Sequence, residues 1–236
     1  MADAPPKRLF EELGYEETPL GPISLRRRWI SAIGVDVQEV ILRDEHLMSS
    51  LFTVGEASLS RLGLEWATGD DLRVLVGGLG LGFTAAAALE DDRVASVEVA
   101  EYLAPVIAWH RAGLTSLGAS LSADPRCRFT HADFFELVGA GEDRWDVILL
   151  DIDHAPDRLL AHSHGDFYSL EGLKRMAQRL TPAGVFALWS DDGADAAFLD
   201  RLGGAFGRVD AVEVAFPNPL TGDESTCTSY RAQQPL

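Results

Sequence analysis

A glycine-rich run, Gly77-Gly78-Leu79-Gly80-Leu81-Gly82, lies between the apolar stretch Val74-Leu75-Val76 and a helical pattern that begins near Thr84. Glycine tolerates positive φ and lets another group approach the main chain closely, so a strand, glycine loop and helix in succession suit the cradling of a nucleoside. Spacing narrows the ligand. A dinucleotide fingerprint, G-x-G-x-x-G, would put its last glycine at position 83, which is Phe83; here it falls at Gly82. The shorter G-x-G-x-G form, Gly78 to Gly82, is the one that serves S-adenosylmethionine. No Lys-Ser/Thr pair follows the glycines, which excludes a phosphate P-loop. Taken alone, the run is also compatible with a tight packing turn.

Three acidic positions extend the pattern. Glu98, with Val99 beside it, falls about twenty residues beyond the first glycine at the end of an apolar run, where a carboxylate accepts from vicinal ribose hydroxyls. His131-Ala132-Asp133-Phe134 follows a further run. Asp133 there is either an acceptor for an adenine amino group, with Phe134 against the ring, or the N-cap of the helix Phe134-Phe135-Glu136-Leu137-Val138. Asp151-Ile152-Asp153-His154 ends the run Trp145–Leu150. A carboxylate at that point either caps a loop or binds a substrate ammonium and takes its proton. An ammonium of ordinary pKa, about 10, yields to an Asp only if desolvation helps. His154, His162 and His164 lie in the polar stretch 154–167, a candidate lid; their spacing with Asp151, Asp153 and Asp166 matches no standard metal motif, so no metal is assigned. Cys127 and Cys227 have neither zinc spacing nor a charged setting and read as strand residues.

These residues must be positioned by the elements around them. Strand-length apolar runs occur at 73–77, 94–99, 127–131, 145–150 and 184–189, separated by helical patterns, which implies parallel βαβ units. Thr181–Gly184 reads as a turn into the fifth strand, and 54–66 as a helix. Two closing segments, Val209–Phe216 and Ser225–Ala232, predict an antiparallel pair. Ahead of all this, residues 23–30 and 35–42 predict a small β-hairpin unit, residues 1–20 a loose lead-in, and Arg26-Arg27-Arg28 a strand edge. The domain division expected is 1–53 and 54–236. The fold class is therefore α/β and Rossmann-like.

Composition excludes several classes. The chain of 236 residues has a net charge of −17, which repels nucleic-acid phosphates and anionic membranes, attracts cations, and also serves solubility. No apolar run reaches the roughly 20 residues of a membrane span. The first residues carry no basic-then-apolar export signal, and a reducing cytoplasm is expected.

In order, Arg43-Asp44-Glu45, Glu56, the glycine loop, Glu98, His131–Phe135, Trp145–Asp151 and Phe167-Tyr168 make residues 35–231 resemble the spermidine synthase (polyamine aminopropyltransferase) family, within the class I S-adenosylmethionine-dependent methyltransferase fold. The resemblance implies a seven-stranded, mostly parallel sheet with helices on both faces, and a homodimer. It implies Gly78, Leu79, Gly80, Gly82, Glu98, Val99, Asp133, Phe134 and Asp151 around the cofactor, Asp151 as base with Asp153 assisting, and Glu56, His154 and Tyr168 at the substrate. Departures are local. Leu81 stands where the family has the acid of Gly-Gly-Gly-Asp-Gly-Gly, Val54-Gly55 replace a Tyr-Gln pair, and His154 replaces the second acid of Asp-x-x-Asp. The expected function is transfer of an aminopropyl or methyl group from decarboxylated or intact S-adenosylmethionine to a small amine. The alternatives are methylation of a non-polyamine substrate and nucleoside binding without turnover.

Overall fold

The structure is a computed structural model and describes residues 9–236; the first eight residues of the expected lead-in lie outside it. The regular alternation from residue 72 onward folds into a seven-stranded sheet of order β10-β11-β9-β8-β5-β6-β7. Its strands are β5 (Leu72–Gly77), β6 (Val94–Glu101), β7 (Cys127–His131), β8 (Trp145–Leu150), β9 (Leu180–Ser190), β10 (Phe206–Pro217) and β11 (Glu224–Pro235). β9 to β7 run parallel, and β11 and β10 close the edge antiparallel, as the sequence predicts. The order reverses between β5 and β8, and the crevice outside their carboxyl ends is where ligands bind in open sheets of this kind.

Side-chain alternation places helices on both faces. Val74, Val76, Val147 and Leu149 point to one core, which holds Leu59 and Leu64 of α1 (Val54–Trp66), Ala85 and Ala88 of α2 (Phe83–Leu89), Ile107 of α3 (Ala104–Arg111) and Leu121 of α4 (Gly118–Ala123). Leu75, Ile148 and Leu150 point to the other. That core holds Val138 of α5 (Phe134–Ala140), Leu173 of α6 (Leu170–Ala177) and Leu202 of α7 (Ala196–Gly203). Thr181–Gly184 is not a turn ahead of β9 but lies within it, where the register slips between the pairs Trp145↔Leu180 and Val147↔Val185.

The N-terminal part is larger than a hairpin. β1 (Phe10–Thr18), β2 (Gly21–Ile30), β3 (Val35–Leu42) and β4 (Glu45–Ser49) form a four-stranded antiparallel sheet in that order. The lead-in expectation therefore fails over residues 10–18. β1 is rich in Glu because it is an edge strand, where charge is tolerated and discourages further pairing. Its register shifts at Glu12/Gly14, and a Cβ on Gly14 would come within 2.4 Å of Trp109 Nε1, so the strand presses on α3 there. β2 is an inner strand rather than an edge. Arg27 pairs with Glu11 on β1 and Arg28 with Glu39 on β3, so the arginines join strands together. Ile23, Leu25, Val40 and Leu42 share the first core cluster of the large sheet, which puts the small sheet directly over the α2–α3 side of the crevice.

Candidate active site

The main chain leaves β5 at Gly77 and turns into α2 with φ of +93° at Gly78, +47° at Gly80 and +92° at Gly82. A Cβ at Gly78 would lie 2.4 Å from the carbonyl oxygen of Asp151, so the loop is pressed against the end of β8 in a conformation that L side chains rarely adopt. Gly78 and Gly80 line a cavity of ≈ 220 Å³. Leu79 and Leu81 point away into the first core, Gly82 is the N-cap residue of α2, and Val99 is fully buried in the same core. Of the expected cofactor contacts in this region, the cavity receives the two glycines, while Leu79, Gly82 and Val99 shape the loop from behind.

The acid of β6 that faces the cavity is Glu101, not Glu98. Glu98 accepts from Thr130 Oγ1 at 2.7 Å and pairs with Arg128 at 2.7 Å, both on β7, and is not part of the lining. Glu101 lines the cavity and is 8% exposed. Its Oε2 accepts from the Leu79 amide at 2.9 Å and its Oε1 from the Leu103 amide at 2.7 Å, so one carboxylate ties the glycine loop to the end of β6. Burial pushes its pKa up, against the opposing pull of the Leu103, Leu79 and Gly80 amides. The missed signal was strand length: β6 continues to Glu101, and the carboxyl edge of the sheet is where a ligand-facing acid belongs.

Asp133 caps α5, with Oδ1 accepting from Phe135 N at 2.8 Å and Glu136 N at 3.3 Å, and it also lines the cavity. The two readings of this residue are therefore compatible: its Oδ1 holds the helix while the residue lines the crevice. Phe134 is almost fully buried against Gly77, while Phe135 stacks on His164 with ring centroids 4.0 Å apart. Both rings line the cavity.

At the cavity floor, Asp151 Oδ2 accepts from Thr84 Oγ1 at 2.6 Å. Thr84, in the first turn of α2, is a residue that sequence reasoning did not assign. Glu56, in the first turn of α1, lines the same space. Burial, followed by the charge of Asp151, pushes Glu56 up to about 8; burial pushes Asp151 up to about 6, with the Thr84 hydrogen bond opposing. The two carboxyls titrate as a pair, because each resists the other's ionisation. His154 also lines the cavity, its Nε2 3.0 Å from Glu45 Oε1 on β4. Trp189, at the end of β9, completes that wall.

Asp153 and Tyr168 are held elsewhere. Asp153 is buried and accepts from Tyr168 Oη at 2.8 Å, from the Leu160 amide at 2.7 Å and lies 2.9 Å from His164 Nδ1. Neither Asp153 nor Tyr168 lines the cavity. Asp153 therefore organises the segment 154–167, which covers the cavity with Leu160, Ala161, Ser163 and His164, and Tyr168 is its buried donor. Past the end of β8 the chain bends, and Asp153 turns inward to its hydrogen-bond partners, away from the space that Asp151 and Ile152 line. Burial pushes both thiols up to about 11, which leaves neither as a ready nucleophile at neutral pH. Among the described residues, no group of three or more His, Cys, Asp or Glu side chains is arranged to hold a metal ion, and no helix is long and apolar enough to cross a membrane.

No protein-family model matches the sequence, and no curated protein matches it. Solved structures do. A spermidine synthase in complex with the transition state analogue AdoDATO superposes with a TM-score of 0.73 at 18% identity, covering 94% of this chain and 72% of that one. The spermidine synthase of Thermotoga maritima superposes with a TM-score of 0.74 at 17% identity, with the same coverage. With its antiparallel N-terminal sheet over a seven-stranded, mostly parallel one, the chain has the spermidine synthase-like form of the methyltransferase fold.

Proposed function

We propose that the protein is a transferase that moves an alkyl group from an adenosyl sulfonium donor to a small amine, with Asp151 as the base. The observation that carries this reading is a pair of acids lining one cavity, Asp151 just past β8 and Glu56 in the first turn of α1: Asp151 has one side-chain donor, Thr84, and neither acid has a cationic partner among the described residues. Buried acids without a counter-charge are costly unless a ligand supplies one, and a sulfonium or an ammonium does so. The rest of the lining fits the nucleoside part of such a donor. Glu101 uses one lone pair on each oxygen for loop amides and keeps the others for ribose hydroxyls, Asp133 keeps Oδ2 for an exocyclic amine, and Phe135 offers an apolar face.

When bound, the donor supplies an electrophilic carbon and a neutral thioether leaving group. The chain supplies the remainder. Glu56 and Asp151 attract the ammonium and hold it near the carbon. Asp151, raised toward neutrality by burial, takes the ammonium proton more readily than an ordinary Asp, and Thr84 fixes which oxygen faces inward. Segment 154–167, clamped by Asp153, restricts water above the site. The aminopropyl donor is favoured by the likeness in fold to a protein holding AdoDATO. The methyl donor is favoured by Leu81, which is wholly buried and offers no negative charge against the carboxylate of intact S-adenosylmethionine.

Calorimetric titration with both donors, followed by mass spectrometry for methylthioadenosine or S-adenosylhomocysteine in the presence of an amine panel, tests the reading. Asp151→Asn is expected to lower kcat by roughly 10²–10⁴-fold while nucleoside binding persists. Binding of neither donor, or full turnover by Asp151→Asn, would sink it. A homodimer in the cytoplasm remains part of the proposal, measurable by light scattering and by fractionation.

A further inference from the structure

The cavity that holds the carboxyl pair opens into a second chamber of ≈ 390 Å³, and the two share Leu47, Met48, Glu56, His154 and Trp189 as walls. We propose that this chamber receives the body of the acceptor, and that the acceptor is a primary amine carried on an aromatic or bulky apolar group rather than a linear diamine. The inference rests on the transferase reading above and adds the class of acceptor to it.

Three aromatic side chains, Phe52, Trp189 and Phe216, stand in the wall of the chamber. Phe52, just ahead of α1, and Phe216, at the end of β10, meet with ring centroids 6.1 Å apart, and Trp189 of β9 lines both this chamber and the cavity of the carboxyl pair. Three separate parts of the chain are thus brought together around one space. Gly55 makes the arrangement possible. A Cβ there would come within 2.6 Å of Trp189 Nε1 and 3.0 Å of Cys227 Sγ, so any side chain at position 55 displaces the indole.

Charge decides against a diamine. A linear diamine carries a primary ammonium at each end, and each such group has three N–H donors that require acceptors. The near end finds Glu56 and Asp151. Beyond them, the one further acid lining the second chamber is Asp191, an exposed residue whose Oδ2 pairs with Arg158 at 3.2 Å. Among the other polar walls, Asn218 is committed: its Nδ2 donates to Ser225 Oγ at 3.0 Å, and its Oδ1 accepts from the Leu220 amide at 3.0 Å. His46 is directed to Glu39, at 3.5 Å. Aromatic faces attract a cation but accept none of its N–H bonds as a carboxylate does, so a distal ammonium loses partners here while an aryl group gains them.

In the step itself, the acceptor ammonium gives a proton to Asp151, the freed nitrogen lone pair bonds to the donor carbon, the carbon–sulfur bond breaks with its electron pair going to sulfur, and the product leaves as a secondary ammonium with a neutral thioether. Charge and atoms balance without another reactant.

The test measures release of the thioether nucleoside by the full chain, with either donor, using 2-phenylethylamine and 1,4-diaminobutane as acceptors. The expected result is a kcat/KM at least tenfold higher for 2-phenylethylamine, within the range a hydrophobic pocket can impose. Phe216→Ala is expected to reduce that value at least fivefold more than it reduces the value for 1,4-diaminobutane. Equal or better use of 1,4-diaminobutane, with nucleoside binding intact, overturns the acceptor class and leaves the transferase reading standing. A Phe216→Ala loss that is the same for both amines also overturns it. Failure to bind either nucleoside donor removes the transferase reading, and this inference with it.

Discussion

The glycine-loop end of the cavity and its Asp151 end both present carboxylates, yet the two sets are held in opposite ways. Glu101 and Asp133 are each committed to backbone amides, Glu101 to those of Leu79 and Leu103 and Asp133 to those of Phe135 and Glu136. Asp151 has one side-chain donor, the Thr84 hydroxyl, and among the described residues no side chain donates to Glu56. The first pair is therefore part of the scaffold whether or not a ligand is present. The second is left short of partners, and its ionisation is opposed by burial and by mutual repulsion. Well-satisfied acids build the shape of a site, and poorly satisfied ones mark where its chemistry takes place.

Three further experiments break or sharpen that contrast. The largest effect is expected at the glycine-loop end. Glu101→Gln turns an amide toward backbone donors, leaves one of them unpaired and weakens the ribose contacts, at about 1–3 kcal/mol or roughly 5–150-fold in nucleoside affinity. Glu98→Gln, three residues earlier, should change the affinity less than twofold. Calorimetry on the two variants reads this directly, and equal losses would return the ribose role to Glu98. Next comes Asp153→Asn, which removes the charge that organises Tyr168, His164 and the Leu160 amide. Leaving one of those buried donors unpaired costs about 1–3 kcal/mol, and at roughly 2–4 °C per kcal/mol the melting temperature should drop by several degrees. If Asp153→Asn instead spared the melting temperature and abolished turnover, Asp153 would be restored to the catalytic set.

The smallest effect concerns pH. The pKa of Glu56 is raised in the folded chain, so the folded state binds more protons than the unfolded one between about 4.5 and about 8. Stability should accordingly fall as pH rises through that window. Glu56→Gln removes this group's share of the slope. Because Glu56 is only partly buried and solvent screens it, the expected gain at pH 8 is about 1 kcal/mol, roughly 2–4 °C. Melting curves of both proteins from pH 5 to pH 8 check the sign, and a wild type that grows more stable over that range would contradict the pairing.

Much of the frame was legible because periodicity depends on local chemistry. The helix 54–66, the five parallel strands and the closing antiparallel pair lie where apolar spacing puts them. The glycine loop and Asp151 were legible for the same reason: a strand end followed by glycines or by an acid is a short-range pattern. What failed depended on partners distant in sequence. β1 looked like a polar lead-in because an edge strand needs no apolar alternation, and Glu11 finds Arg27 only when the sheet forms. Tyr168 looked like a substrate contact because nothing near it in sequence announces that its hydroxyl is spent on Asp153.

The sequence by itself determined the α/β alternation, the G-x-G-x-G loop and the presence of acids at strand ends, since each follows from neighbours within a few residues. Only the tertiary structure decided which acids face the cavity. Glu98 or Glu101, and Asp151 or Asp153, are choices between side chains two or three residues apart, made by strand length and pleat in β6 and by the bend that follows β8. The aromatic chamber was equally out of reach, because Phe52, Trp189 and Phe216 are joined by the packing of three elements, with Gly55 leaving room between them.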